Sequence, residues 1–186
     1  MSSRGEEIGK RMKWSQPKAT VREYLLTLDG REVAKLTYVG IFGSLARGQC
    51  AGKTFTFKRG GFLRPFISIR KEGFDEDVGT LRFNWGFSLT GELILANGIK
   101  LLFFGPRLGK AECRFTAEDG RHVCSLSHVP GLLKRRGDFV LESHSGNDPD
   151  PLLLALLLWY AAVLISDEEA SSVTVVAATA INMPFP

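Results

Sequence analysis

Fourteen consecutive residues, Leu152 to Ile165, read LLLALLLWYAAVLI and carry neither a charge nor a small polar side chain. Nothing else in the chain is so uniformly apolar. Asp148-Pro149-Asp150-Pro151 precedes the stretch and Asp167-Glu168-Glu169 follows it. Leu and Ala dominate it, and both are good helix formers. Asp150 suits an N-cap, and Pro151 suits the first helical position, where a missing N–H costs nothing. The pattern predicts a helix over about 151–166. At ~1.5 Å per residue, fourteen residues span about 21 Å, against ~30 Å for the core of a bilayer. A helix apolar on every face yet too short to span a membrane belongs inside a protein core. A helix lying in or tilted through a membrane is the competing account. Burial on all faces requires that the rest of the chain surround it.

The chain before residue 150 is suited to that. At 186 residues, one domain with a sizeable core is the default. Thirteen Phe and twenty Gly favour strands joined by tight turns. Residues 1–19 are polar, contain Pro17 and read as a flexible N-terminal arm. From Val21 onward the apolar pattern has a period of two. Tyr24, Leu26 and Leu28 share one face, and Asp29-Gly30 marks a hairpin turn to Ala34, Leu36 and Tyr38. Residues 40–52 are Gly-rich and irregular. Thr54 to Lys58 and Phe66 to Arg70 alternate again, and Leu81, Phe83 and Trp85 mark the next face. The hairpin signal at Asn97-Gly98 joins Leu93–Ala96 to Ile99–Phe104, and Glu118-Asp119-Gly120 joins Ala111–Ala117 to Arg121–Ser127. Phe139 to Glu142 is a last short strand. About ten strands precede the helix, at the spacing of a sandwich or barrel. A barrel of that size has room for an insert, and the apolar helix would fill it. The β-branched run Ser172–Ala180 leaves an extra strand open for the 170–186 tail.

Three stretches carry a resemblance to a known family. They are the Gly91–Phe104 hairpin GELILANGIKLLFF, the Ala111–Ser127 hairpin AECRFTAEDGRHVCSLS, and DPDPLLLALLLWYAAVLISDE from Asp148 to Glu168. In this arrangement the chain resembles the tubby C-terminal-like superfamily, which includes the tubby domains, the phospholipid scramblases and the LURP-one-related proteins. The resemblance covers Val21 to Glu169. It implies a mainly β fold, an antiparallel barrel of about twelve strands enclosing a hydrophobic C-terminal helix, with the barrel domain over 20–169. The family's helix usually lies close to the C-terminus, whereas here seventeen residues follow Glu169. The family's phosphoinositide-binding residues have no residue-by-residue match here, so lipid recognition is implied at the family level alone.

Catalytic and cofactor motifs are weak. Gly48 to Thr54 invites a P-loop reading, but three residues separate Gly48 from Gly52 where four are needed, and a strand-like Phe55-Thr56-Phe57 follows instead of a helix. No nucleotide is expected. Cys113, His122 and Cys124 lack the spacing of a structural zinc site, so no metal or other cofactor is expected. No G-x-S-x-G elbow accompanies the Ser and His residues. An enzyme is not expected. The odd count of three Cys, with no apolar segment at the start, makes the cytosol the expected location. A net charge of +4 is compatible with anionic partners but far from that of a specific nucleic-acid binder.

The basic residues remain. Lys134-Arg135-Arg136 follows Leu132-Leu133, and Lys58, Arg59 and Arg64 flank Phe62-Leu63. Basic loops beside apolar residues suit the surface of an anionic membrane, at about 1 kcal/mol per basic residue. Ordinary solvated loop charge is the competing account. The expectation is a non-enzymatic binding or regulatory module, peripheral to a membrane. It would recognise anionic phospholipid headgroups or a protein partner through Lys58, Arg59, Arg64, Lys134, Arg135 and Arg136. The alternative is a scramblase-like membrane protein whose apolar helix contacts lipid.

Overall fold

The computed structural model describes residues 9–40, 43–73, 77–84, 88–107, 111–129, 134–146 and 148–181. It describes no side chains at 128–129 or beyond residue 170. Twelve strands follow one another: β1 (Arg11–Ser15), β2 (Glu23–Leu28), β3 (Arg31–Tyr38), β4 (Ala46–Cys50), β5 (Lys53–Gly60), β6 (Phe66–Lys71), β7 (Asp77–Asn84), β8 (Thr90–Leu95), β9 (Lys100–Phe104), β10 (Glu112–Ala117), β11 (His122–Val129) and β12 (Arg136–Leu141). Helix α1 (Pro151–Ile181) comes last. Each strand pairs antiparallel with its neighbour in sequence, and β1 pairs with β12 to close the barrel. Closure leaves no edge strand to template aggregation.

Alternation decides what points inward. Tyr24 and Leu26, Phe55 and Phe57, Ile67 and Ile69, Leu81 and Phe83, and Leu93 and Leu95 are all buried, with more exposed residues between them. They surround the helix. Leu153 through Val163 is buried without interruption, three full turns with no exposed face. At about 2 kcal/mol for each large apolar side chain removed from water, this helix is the centre of the core. Asp150 caps it: its carboxylate accepts from Leu152 N–H at 3.0 Å and its carbonyl from Leu154 N–H at 3.1 Å.

Several elements differ from the sequence expectation. The flexible arm supplies β1, whose Met12 and Trp14 point inward and whose pairing with both β2 and β12 closes the barrel. Trp14 stacks on Trp159 of the helix, 5.1 Å between ring centroids. The Gly-rich 40–52 region contains β4. Its inward residues are small, Ala46, Gly48 and Cys50, because the helix passes close by: a Cβ on Gly48 would lie 2.7 Å from the Phe57 ring and 3.0 Å from Leu156. The P-loop-like glycines are thus a strand residue and a turn residue. The Asn97-Gly98 turn has positive φ at Gly98 alone, and Asn97 Oδ1 accepts from Ile99 N–H at 3.2 Å, so it is not the expected two-residue mirror turn. The helix continues to Ile181, and 172–180 is helical rather than a strand; its alanines favour that state. At 31 residues the helix is therefore not too short to span a membrane. Pro151–Ala170 is long and apolar enough by composition to cross a membrane, and what places it in the core is that 67% of the window is buried inside the barrel. The readings at Trp85 and at Leu132-Leu133 fall outside the described residues.

Candidate functional site: the upper rim of the barrel

The helix divides the barrel into two ends. At the lower rim, where it starts, lie the Asp29-Gly30 and Ala51-Gly52 turns and the 118–121 connection. At the upper rim, near Asp167, lie the connections β1–β2, β3–β4, β5–β6 and β11–β12, which are consecutive around half of the closed barrel. Sequence reasoning found two separate basic clusters, at 58–64 and 134–136. They stand at the two ends of this half-rim arc, six strands apart in the twelve-strand ring.

The arc is apolar as well as basic. Among the described residues, the exposed large hydrophobic side chains are Val21, Val39, Phe62, Leu63 and Leu102. The first four sit in three consecutive upper-rim connections. Phe62 is 94% exposed and Leu63 88%. Their projection is built in by Gly61, which takes φ +73° and turns so tightly that a Cβ there would lie 2.2 Å from the Arg64 carbonyl oxygen.

The six predicted basic residues divide by strand phase. Lys58 on β5 and Arg136 on β12 alternate with inward residues and are exposed on the outer wall; Arg64 and Lys134 are exposed in the connections. Arg59 and Arg135 are in phase with the inward Phe57 and Phe139, and they turn over the barrel mouth onto the helix. Arg59 Nε lies 2.8 Å from Glu168, and Arg135 donates to Asp167 Oδ1 at 2.6 Å. Burial alone would lower the Arg135 pKa, but the Asp167 carboxylate outweighs it and raises it above the usual value.

Sequence reasoning missed Arg22. It donates to Asp167 Oδ2 at 2.7 Å, so two guanidinium groups share one carboxylate. Arg22 also lies over the Tyr38 ring at 3.8 Å and reaches the Gly43 carbonyl at 3.4 Å. Its signal was phase: it stands two residues before Tyr24 and four before Leu26, both inward. Gln16 ties the neighbouring connections together, accepting from Arg135 N–H at 3.1 Å and donating to the Val21 carbonyl at 2.9 Å.

The lower rim uses the same phase rule for a tighter purpose. Arg121 makes a two-pronged contact with Asp148, at 2.8 and 2.9 Å, and Lys53 lies 3.5 Å from Asp150. The Asp148 side chain is only 6% exposed. Its burial would raise its pKa, but Arg121 and the Ser145 N–H at 2.6 Å outweigh that and hold it below the ordinary carboxylate value.

No cluster of three or more His, Cys, Asp or Glu able to hold a metal occurs among the described residues. Burial pushes the Cys50 thiol up to about 11 and Cys113 up to about 12, and Cys124 is raised by the same cause. These thiols are protonated at neutral pH, so they are packing groups rather than nucleophiles.

No protein-family model and no curated protein matches the sequence. Among solved structures, the chain is similar to the X-ray structure of an Arabidopsis thaliana protein, AT5G01750. The match covers 84% of this chain and 92% of that one, with a TM-score of 0.53 and 14% identity. At that identity it shows the fold, a closed barrel with a C-terminal helix.

Proposed function

We propose that the chain is a non-enzymatic binding module of the tubby C-terminal-like superfamily, and that its upper rim docks on an anionic membrane surface from the cytoplasmic side. The twelve-strand barrel around an apolar helix supports the family reading. The observation that carries the docking is the arc itself: among the described residues, four of the five exposed large hydrophobics share it with the exposed cations Arg64 and Lys134. Burying Phe62 and Leu63 in the interface would contribute about 1.5–3 kcal/mol each. Each cation near anionic headgroups adds about 1 kcal/mol. A protein groove could use the hydrophobics alone; the pairing with exposed cations favours lipid.

Flotation with vesicles tests this. Wild type should float with phosphatidylcholine/phosphatidylserine vesicles and remain below with phosphatidylcholine alone. Phe62→Ser with Leu63→Ser should reduce binding by about 10-fold or more, on the scale of the burial terms above. Failure of wild type to float with the anionic vesicles would overturn the reading.

A scramblase-like role would need the helix itself to reach lipid. That requires the continuous buried run Leu153–Val163 to leave the barrel.

A further inference from the structure

We infer that the outer wall of the barrel holds a binding site between β1 and β12 for a small monocarboxylate that also carries an amine or hydroxyl donor. The inference goes beyond the docking reading and does not rest on it.

The shape of the site follows from side-chain size. A depression of about 450 Å³ lies over β11, β12, β1 and β2. The longer Lys13, Arg136 and Asp138 line it together with the short Ser15, Thr27 and Ser127. Trp14 and Gly137, directly paired, line it as well. Trp14 is 1% exposed with its ring stacked on the helix, and Gly137 has no side chain, so both offer backbone to the outside. Short outward residues beside a bare stretch of sheet leave a hollow of the size that holds small molecules, roughly 300–1,000 Å³.

The charges around it are arranged unlike those on the rest of the wall. Lys13 is directly opposite Asp138, Ser127 is opposite Asp138 on its other side, and Arg136 is opposite Ser15. Side chains directly opposite each other start about 5 Å apart, close enough to pair. Arg70 and Asp77, which are opposite in the same way, do pair, at 2.6 Å, and Lys35 meets Glu23 at 2.8 Å. Lys13 and Asp138 do not. Among the described residues, the side chains of Lys13, Arg136, Asp138, Ser15 and Ser127 have no hydrogen-bond or ion-pair partner. Two cations, one carboxylate and two hydroxyls thus face one hollow with their bonding capacity unused.

That set selects its ligand by chemistry. Lys13 and Arg136 donate and accept nothing, so they call for an anionic oxygen; Asp138 accepts only, so it calls for a donor; the serine hydroxyls serve either. With Asp138 ionised, these side chains carry one net positive charge, which suits a single carboxylate, whereas a dianion would meet Asp138 at close range. A carboxylate with an ammonium or hydroxyl group on the same small molecule, as in an amino acid or a sugar acid, satisfies all of them at once.

The test is a titration read from the amide resonances of Gly137 and Ser127. The probes are D-glucuronate, which brings hydroxyls, L-alanine, which brings an ammonium group, and acetate, which brings neither. Glucuronate, alanine or both should shift the two resonances saturably with a Kd below about 10 mM, and the tighter of the two identifies the donor. Acetate should bind at least about tenfold more weakly, the scale of one lost hydrogen bond to a charged group. Lys13→Gln and Asp138→Asn change outward positions and leave the inward face of both strands intact. Lys13→Gln should weaken the tighter probe about tenfold. Asp138→Asn should weaken it by a similar factor, although it makes the wall more positive. A patch that merely attracts anions would instead bind every probe more tightly in Asp138→Asn, and that result would overturn the inference. Saturable shifts from neither glucuronate nor alanine by about 10 mM would overturn it as well.

Discussion

The two rims of the barrel are built from the same parts and differ in how far those parts are buried. Each has acidic residues flanking the apolar helix and basic residues at strand ends that point inward by phase. At the lower rim, Arg121 grips the nearly buried Asp148 with two hydrogen bonds, next to a capped helix start and short turns. At the upper rim, Asp167 is shared between Arg22 and Arg135 and is 40% exposed, among connections that bear exposed apolar side chains. Burial is what separates a fastening from an ion pair that water screens. Water competes poorly for the first and well for the second.

The largest expected effect follows from breaking the lower rim. Arg121→Ala leaves the Asp148 carboxylate nearly buried without its partner, and should lower stability by about 2–3 kcal/mol. Asp167→Ala should cost less than about 1 kcal/mol, because its pairs are partly exposed. Urea midpoints of the two variants at neutral pH make the comparison. Equal losses would remove the distinction between the rims.

Acid sharpens the same contrast. The native Asp148 pKa lies below its ordinary value of 3.8 because Arg121 and Ser145 favour the charged form. A group with a depressed native pKa contributes its full stability above the unfolded value and loses it as pH falls through the native one. The stability gap between wild type and Asp148→Asn should thus hold constant from neutral pH to about 5 and shrink below about 4. Thermal melts across that range would show it. A gap that instead widens on acidification would mean that Asp148 is not held as a carboxylate.

Much of the barrel was legible because its strands bury one face. The runs through Tyr24 and Leu26, Phe55 and Phe57, and Leu93 and Leu95 announce their phase in alternating large residues. β4 did not, because Gly48 and Ala46 are small to admit the helix, and small inward residues leave no hydrophobic alternation to read. β1 was hidden by its outward Arg11 and Lys13, although Met12 and Trp14 alternate correctly between them. The basic rim residues were legible singly but not as a site. Arg22 and Arg135 are more than a hundred residues apart, and only the β1–β12 closure makes them neighbours of one carboxylate. Phase could have selected them: a basic residue at a strand end, in step with the inward side chains, has the helix and its flanking acids as its nearest partners.

The smallest expected effect on stability is also the one that best separates the rims. Phe62→Ser combined with Leu63→Ser removes two large side chains that are 94% and 88% exposed, so almost no apolar area is lost from the core. The backbone turn survives because Gly61 sets it. The urea midpoint should stay within about 0.5 kcal/mol of wild type, as for surface substitutions generally. These are the same two substitutions expected to weaken vesicle binding at least tenfold, and the combination is what a docking surface requires: side chains that the folded protein does not use, held out by a turn that it does. A loss above about 1 kcal/mol would mean that Phe62 or Leu63 is buried against the protein in solution. The upper rim would then be closed like the lower one, and the arc would not be available for docking.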